Sequence, residues 1–183
     1  MRGGTVTLLA NRRTEGALDV ARVLASRLRA TVDGRQVVLI TDPAFRTRNH
    51  RGARDPGEVV GPASVPALLG RLPAQGYAII AFLGPLRQQV VAALDRSGLV
   101  VVLTDVEVQS LRAAQRTLNL LTEVGYPVDK VAVVVVTPIP QAIDQAAIRA
   151  ALRRDVAHVL PRTIDGAEDA AAYDALVSRI RGA

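Results

Sequence analysis

"TVTLLANRRTEGALDVARVLA", residues 5–25, runs an apolar segment into a polar turn with one glycine and then into a helix-like stretch. Six apolar or β-branched residues suit a strand covered on both faces. A strand, a glycine turn and a helix form one of the arrangements in which backbone N–H groups cradle a phosphate. Yet this turn carries Arg12, Arg13 and Glu15, and Ala17 and Leu18 stand where a phosphate-binding lysine and a hydroxyl would be useful. The stretch therefore points to a strand–turn–helix unit, and leaves open whether the turn is a phosphate loop, a degraded one or an ordinary connection.

Working outward, five further apolar segments read as strands: 36–41, 77–83, 99–103, 130–136 and 156–160. Helical patterns lie between and after them at 16–29, 64–72, 86–95, 107–124, 141–154 and 167–181. In 107–124, Val108, Leu111, Leu118 and Leu121 share one face, Asp105 is a candidate N-cap and Gly125 a natural stop. Glu168 and Asp169 sit in the first turn of the last helix, where acidic groups suit the helix dipole. Strict β-α alternation predicts an α/β fold: a doubly wound, mostly parallel sheet of about six strands with helices on both faces. At 183 residues the chain reads as a single domain, 1–183.

Composition narrows the chemistry. Apolar residues make up 49% and aromatics only 3%, so the core is built from Val, Leu, Ile and Ala. There is no cysteine, which excludes disulfides and thiolate metal sites. No apolar span long enough for a membrane helix or signal peptide is visible, so the expected compartment is the cytoplasm. The net charge is +6, and Lys130 is the one lysine among 23 basic residues. Scattered arginine with little aromatic interleaving fits codon bias better than base stacking. Attraction to phosphate on nucleic acid or an anionic surface is the sharper alternative.

In such a sheet, ligands bind beyond the carboxyl ends of the strands. The candidates there are Asn11–Gly16, Thr41 with Asp42 and Pro43, Gly84 and Pro85, Thr104 and Asp105, and Thr137 with Pro138. The long irregular stretch 42–63 holds Arg46, Arg48, His50, Arg51 and Arg54, a candidate anion- or partner-binding loop together with Arg12 and Arg13. A solvated basic surface would account for the same residues. His50 and His158 have no second ligand placed beside them, so no metal is expected. No nucleophile elbow or Ser/His/Asp set is present.

The order of these segments resembles the ParA/MinD family of deviant-Walker P-loop ATPases over roughly residues 4–165. "VARVLASRLRA" (20–30) resembles the helix after that family's phosphate loop, and "GRQVVLITDP" (34–43) its second strand ending in Asp-x-Asp-Pro. The stretch 76–121 resembles its third strand, fourth strand and following helix; "KVAVVVVTPIP" (130–140) resembles the strand that ends in Asn-Arg, and "VLPRTIDGAEDA" (159–170) the proline turn near the C-terminus. The resemblance implies a P-loop NTPase-like fold and, laid over residues 11–19, a degenerate nucleotide site. The signature lysine falls at Arg12, the last loop glycine at Gly16, the phosphate lysine at Ala17 and the metal-binding hydroxyl at Leu18. The magnesium-orienting aspartate of strand three falls at Ala81 and the adenine-contacting asparagine of strand five at Thr137, while Asp42 and Pro43 match the strand-two motif. A P-loop needs inward-pointing N–H groups, a lysine and a hydroxyl, and here only Gly16 survives.

What the resemblance implies is a non-catalytic, pseudo-ATPase member, akin to the TadZ/CpaE type of localisation protein. Such a protein binds no cofactor and acts as a scaffold through a homodimer or a protein partner. A nucleic-acid or anionic-surface module and an atypical ATP-binding protein of the same fold are the alternatives.

Overall fold

The computed structural model describes residues 4–11, 14, 16–32, 37–41, 76–83, 88–162 and 167–183. The elements are β1 (Thr5–Ala10), α1 (Ala17–Thr31), β2 (Val37–Thr41), β3 (Tyr77–Leu83), α2 (Gln88–Leu94), β4 (Ser97–Thr104), α3 (Val108–Glu123), β5 (Val131–Thr137), α4 (Gln145–Leu152), β6 (Val156–Pro161) and α5 (Ala167–Gly182). Short 3-10 turns at Val128–Lys130 and Pro140–Ala142 lead out of α3 and into α4.

The six strands form one sheet in the order β2-β3-β1-β4-β5-β6, and every pairing is parallel. Alternation along each strand divides its side chains between two cores. Val6, Leu8 and Ala10 face α1 and α5, in a cluster with Leu24, Leu28, Tyr173 and Leu176. Leu9, Ile80, Val100 and Val102 face α2, α3 and α4, among Val90, Leu118, Leu121 and Ile148. Helices thus cover both faces, which is why the strands read as apolar runs rather than alternating patterns. Thr7 is the polar residue inside β1. Its hydroxyl lies 2.7 Å from that of Ser97, which itself donates to the Ala93 carbonyl at 2.8 Å, so Thr7 is the donor and both groups are satisfied.

The predicted strands all occur, with ends shifted by one or two residues, and so do five of the helical patterns. The pattern at 64–72 lies outside the described residues. Three details are corrected. Asp105 does not cap α3: Glu107 occupies the cap, and the buried Asp105 carboxylate accepts the Glu107 N–H at 2.9 Å, closing a tight turn one step earlier. Val108, expected on the buried face, is 61% exposed: it is the first residue of the helix, and the buried face is carried by Ser110, Ala114, Leu118 and Leu121. The helix predicted over 141–154 starts at Gln145, where Asp144 accepts the Ala147 N–H at 3.0 Å and stops helix propagation backward.

Gly125 ends α3 as expected. With φ at 72°, it donates its N–H to the Thr122 carbonyl at 3.0 Å while Tyr126 donates to Leu121 at 2.8 Å, the paired bonds of a Schellman turn. No described helix is long and apolar enough to cross a membrane.

Tyr173 ties α5 to the sheet. It is fully buried, and its hydroxyl donates to the Pro161 carbonyl at 2.9 Å. Burial, followed by the charge of Asp19, pushes the phenol up to about 12. The folded protein therefore holds this proton above pH 10, where an unfolded tyrosine loses it, so stability falls as pH rises from 10 towards 12. Tyr173→Phe should lose about 1 kcal/mol at neutral pH. It should also have a shallower alkaline decline, the remainder coming from Tyr126, whose pKa burial also raises. Urea unfolding at pH 7 and pH 11 measures both; equal losses at the two pH values would contradict the assignment.

Candidate functional site

The strand order places the candidate site. The chain leaves β1 toward β2 on one side of the sheet and leaves β4 toward β5 on the other, so the connections diverge between two adjacent strands. Crevices that bind ligands form at such switch points, beyond the carboxyl ends of the strands. Asn11, Thr14 and Gly16 lie there.

Of these three, Thr14 is buried and Asn11 and Gly16 are half-buried. Thr14 donates its N–H to the Asn11 carbonyl at 3.0 Å, and its side chain is only 5% exposed. Its hydroxyl has no hydrogen-bond partner among the described residues. Gly16 stands at the N-cap of α1 with φ 75°, ψ 0°, and its carbonyl accepts the Val20 N–H at 2.9 Å. That left-handed conformation favours glycine. Space favours it too: a Cβ on Gly16 would stand 3.0 Å from Arg162 Cγ and 3.6 Å from Val136 Cγ1. The aliphatic stem of Arg162 thus lies against the start of α1.

The next two residues turn away from solvent. Ala17 is 3% exposed and belongs to the core shared by α1, α5 and the sheet; Leu18 packs against the same core. Ala81 lies in that core as well, in register with Leu8 of β1 and Thr41 of β2, two residues before β3 ends. Thr137 is the last residue of β5 and is buried. Its hydroxyl accepts the Ile139 N–H at 3.3 Å and its carbonyl accepts the Arg162 N–H at 3.0 Å.

The fold therefore gathers Gly16, Ala17, Ala81 and Thr137 around one end of the sheet. Arg12, Arg13, Asp42, Arg46, Arg48, Arg51 and Arg54 lie outside the described residues. The sequence reading missed Arg162, which links the ends of β5 and β6 to the start of α1. Its signal was present in the proline turn at 159–170, where an arginine directly follows the last strand.

Chemically, the arrangement is poor in reactive groups. Among the described residues, no cluster of three or more His, Asp or Glu is placed to hold a metal ion. His158, on β6, has its pKa lowered by burial and then by the Arg179 charge, which favours the neutral ring. Beside the turn, a hollow of about 430 Å³ opens between the loops after β4 and β5, lined by Val106, Leu111, Pro138, Ile139 and Ile143, with Thr137 and Asp144 at its edge. Val106 and Ile139, which line the hollow, are 48% and 59% exposed, and Val108 at the start of α3 is exposed as well.

No protein-family model matches this sequence, and no curated protein does. Solved structures do match its fold. The MinD cell division protein of Aquifex aeolicus superposes with a TM-score of 0.70 at 13% identity, over 99% of this chain and 98% of that one. The ParA family ATPase of Chlorobium tepidum TLS gives 0.66 at 15% identity, over 99% and 93%. The septum site-determining protein MinD of Pyrococcus horikoshii OT3, complexed with Mg-ADP, gives 0.67 at 12% identity, over 97% and 96%. The fold is that of the MinD and ParA P-loop ATPases, and the likeness extends over nearly the whole of both chains.

The geometry at Gly16 makes a specific demand. Gly16→Ala should destabilise the protein by about 1–2 kcal/mol, the cost of a left-handed L-residue, with an added penalty from the Arg162 contact. Combining it with Arg162→Ala should recover the contact part but not the backbone part. Denaturant midpoints of the two single variants and the double variant test this; full recovery would show that φ is not the constraint.

Proposed function

We propose that the protein is a non-catalytic positioning or scaffold protein with a MinD/ParA-like fold, a pseudo-ATPase of the TadZ/CpaE kind, acting in the cytoplasm through a homodimer or a protein partner. The observation that carries this reading is the burial of Ala17 in the core directly after Gly16, whose Cα is covered by the stem of Arg162. A phosphate loop places a lysine and then a hydroxyl at those positions, facing the ligand. Here both side chains serve packing, and the third ATP-linked position, Ala81, does the same. On this reading, the position that would carry the phosphate lysine serves the hydrophobic core instead.

The exposed Val106 and Ile139 support the second half of the reading. Exposed aliphatic residues around one hollow at the carboxyl ends of β4 and β5 suit contact with another protein. The known structures with this fold include a MinC:MinD cell division protein complex of Aquifex aeolicus, so the fold is compatible with a partner-bound role. The arginines of 46–54 are assigned to solvated surface or partner contact ahead of nucleic acid, because the basic excess is spread along the whole chain.

The test is nucleotide titration. Calorimetry with Mg-ATP should show no binding at micromolar concentration, and phosphate release should stay at background. Ala17→Lys with Leu18→Thr should not restore turnover and should lower stability, since a lysine at a 3%-exposed position must bury or displace its charge. Micromolar ATP affinity in the natural protein would overturn the pseudo-ATPase reading in favour of an atypical ATP-binding protein. Salt-dependent binding to duplex DNA, with a log–log slope of about −0.9 per phosphate contact, would favour the nucleic-acid alternative. Light scattering at tens of micromolar decides between a homodimer and a monomer that relies on a partner.

A further inference from the structure

A second hollow lies at the opposite end of the sheet, where the strands begin. It has a volume of about 260 Å³ and is floored by Leu118 of α3, Val128 of the following 3-10 turn, Val131 and Val133 of β5, and Ala157 of β6. A β-bulge helps to shape it. Val133 pairs with Val156, but the next residue, Val134, pairs with His158, so Ala157 is an extra residue without a partner on β5. Bulges of this kind bend the strand and locally open the ladder.

Two arginines also line this hollow, Arg154 half-buried and Arg179 exposed at its mouth. Arg154 follows α4 and Arg179 lies in the last turn of α5. Among the described residues neither is in a salt bridge; Arg154 has one long bond, from Nη2 to the Thr122 hydroxyl at 3.5 Å. The lining includes one carboxylate, Asp155, and Arg149 engages it at 3.0 Å. Arg179 also bears on His158, lowering its pKa, so the neighbourhood is cationic with a neutral imidazole. Helix dipoles favour basic residues at each of these two helix ends. They do not account for both guanidiniums lining one hollow with an aliphatic floor.

We infer that this hollow is a binding site for a small aliphatic carboxylate, with Arg154 and Arg179 holding the carboxylate and Leu118, Val128, Val131 and Ala157 holding the aliphatic body. The chemistry follows from the lining. Guanidinium groups match carboxylate geometry through paired N–H donors. A floor without other polar side chains rejects ligands that are charged or hydroxylated along their length. The volume suits a body of about five or six carbons, as a cavity of roughly 150 Å³ takes up a benzene ring. The site is separate from the Gly16 turn, at the other end of the strands, so it stands whether or not the pseudo-ATPase reading holds.

The experiment is a titration of the whole protein with hexanoate, followed by amide chemical shifts and by calorimetry, with hexanol, hexylamine and acetate as controls. Saturable binding of hexanoate is expected, with shifts centred on Val128, Val131 and Ala157, and weaker binding of all three controls. Arg154→Gln with Arg179→Gln should weaken hexanoate at least tenfold while its unfolding transition stays close to that of the natural protein. If that double variant unfolds, Arg179→Gln alone carries the test, with a weakening of several-fold expected. The same carboxylate chemistry has a second source, a peptide C-terminus. N-acetyl-Leu-Leu with a free carboxylate, compared with its amide, separates the two: a strong preference for the acid form that exceeds hexanoate assigns the site to peptide ends. Equal binding of hexanol and hexanoate, unchanged affinity in the arginine variants, or no shifts for either carboxylate at about 10 mM, a concentration that would reveal even millimolar binding, overturns the inference.

Discussion

The double-sided burial of β1 is the constraint on which the rest of the structure depends. β1 pairs in parallel with β3 on one side and β4 on the other, so its backbone groups are committed along both edges. Its even-numbered side chains, Val6, Leu8 and Ala10, supply one core, and Leu9 enters the other. A strand in this position has no exposed face on which to place a polar side chain without a partner, and Thr7 is tolerated because Ser97 receives its hydroxyl. Once β1 is central, the chain must cross to β2 and return through β3, then continue on the other side through β4, β5 and β6. The switch point between β1 and β4 follows from that route.

This much was legible in the sequence because buried parallel strands leave a strong trace. "YAIIAFL" and "VAVVVVT" are nearly pure apolar runs, and both became strands at those positions. Helix starts were less legible, because their capping depends on tertiary placement. Asp105 and Asp144 are both aspartates ahead of a helical pattern. Asp144 caps its helix, while Asp105 stabilises the turn before α3 and leaves the cap to Glu107. The exposure of Val108 also follows from its place as the first residue of the helix rather than from its own periodicity.

At the candidate site, the letters alone show that Ala17, Leu18 and Ala81 carry no amine, hydroxyl or carboxylate, and the structure adds what surrounds them. That Ala17 and Ala81 share a core with Leu8 and Leu24, and that Arg162 lies across Gly16, required three-dimensional contacts between segments far apart in the chain. No local pattern encodes them. Arg162 had a local trace, directly after the proline of the last strand, but nothing in the neighbouring residues indicated that its stem would reach α1.

The physical consequence concerns what holds the start of α1. A glycine-rich phosphate loop is backbone wrapped around an anion, and its N–H groups are satisfied by the ligand. In this protein the described residues before α1 have contacts within the chain: Thr14 bonds to Asn11, Gly16 supports the first helical bond to Val20, and the stem of Arg162 covers the glycine. Arg162 is held in turn by its N–H on the Thr137 carbonyl, so the ends of β5 and β6 brace the start of α1. Displacing that stem would uncover Gly16 while leaving the backbone bond between Arg162 and Thr137 in place, so the brace between β5 and β6 and the cover over the glycine are separable parts of one residue.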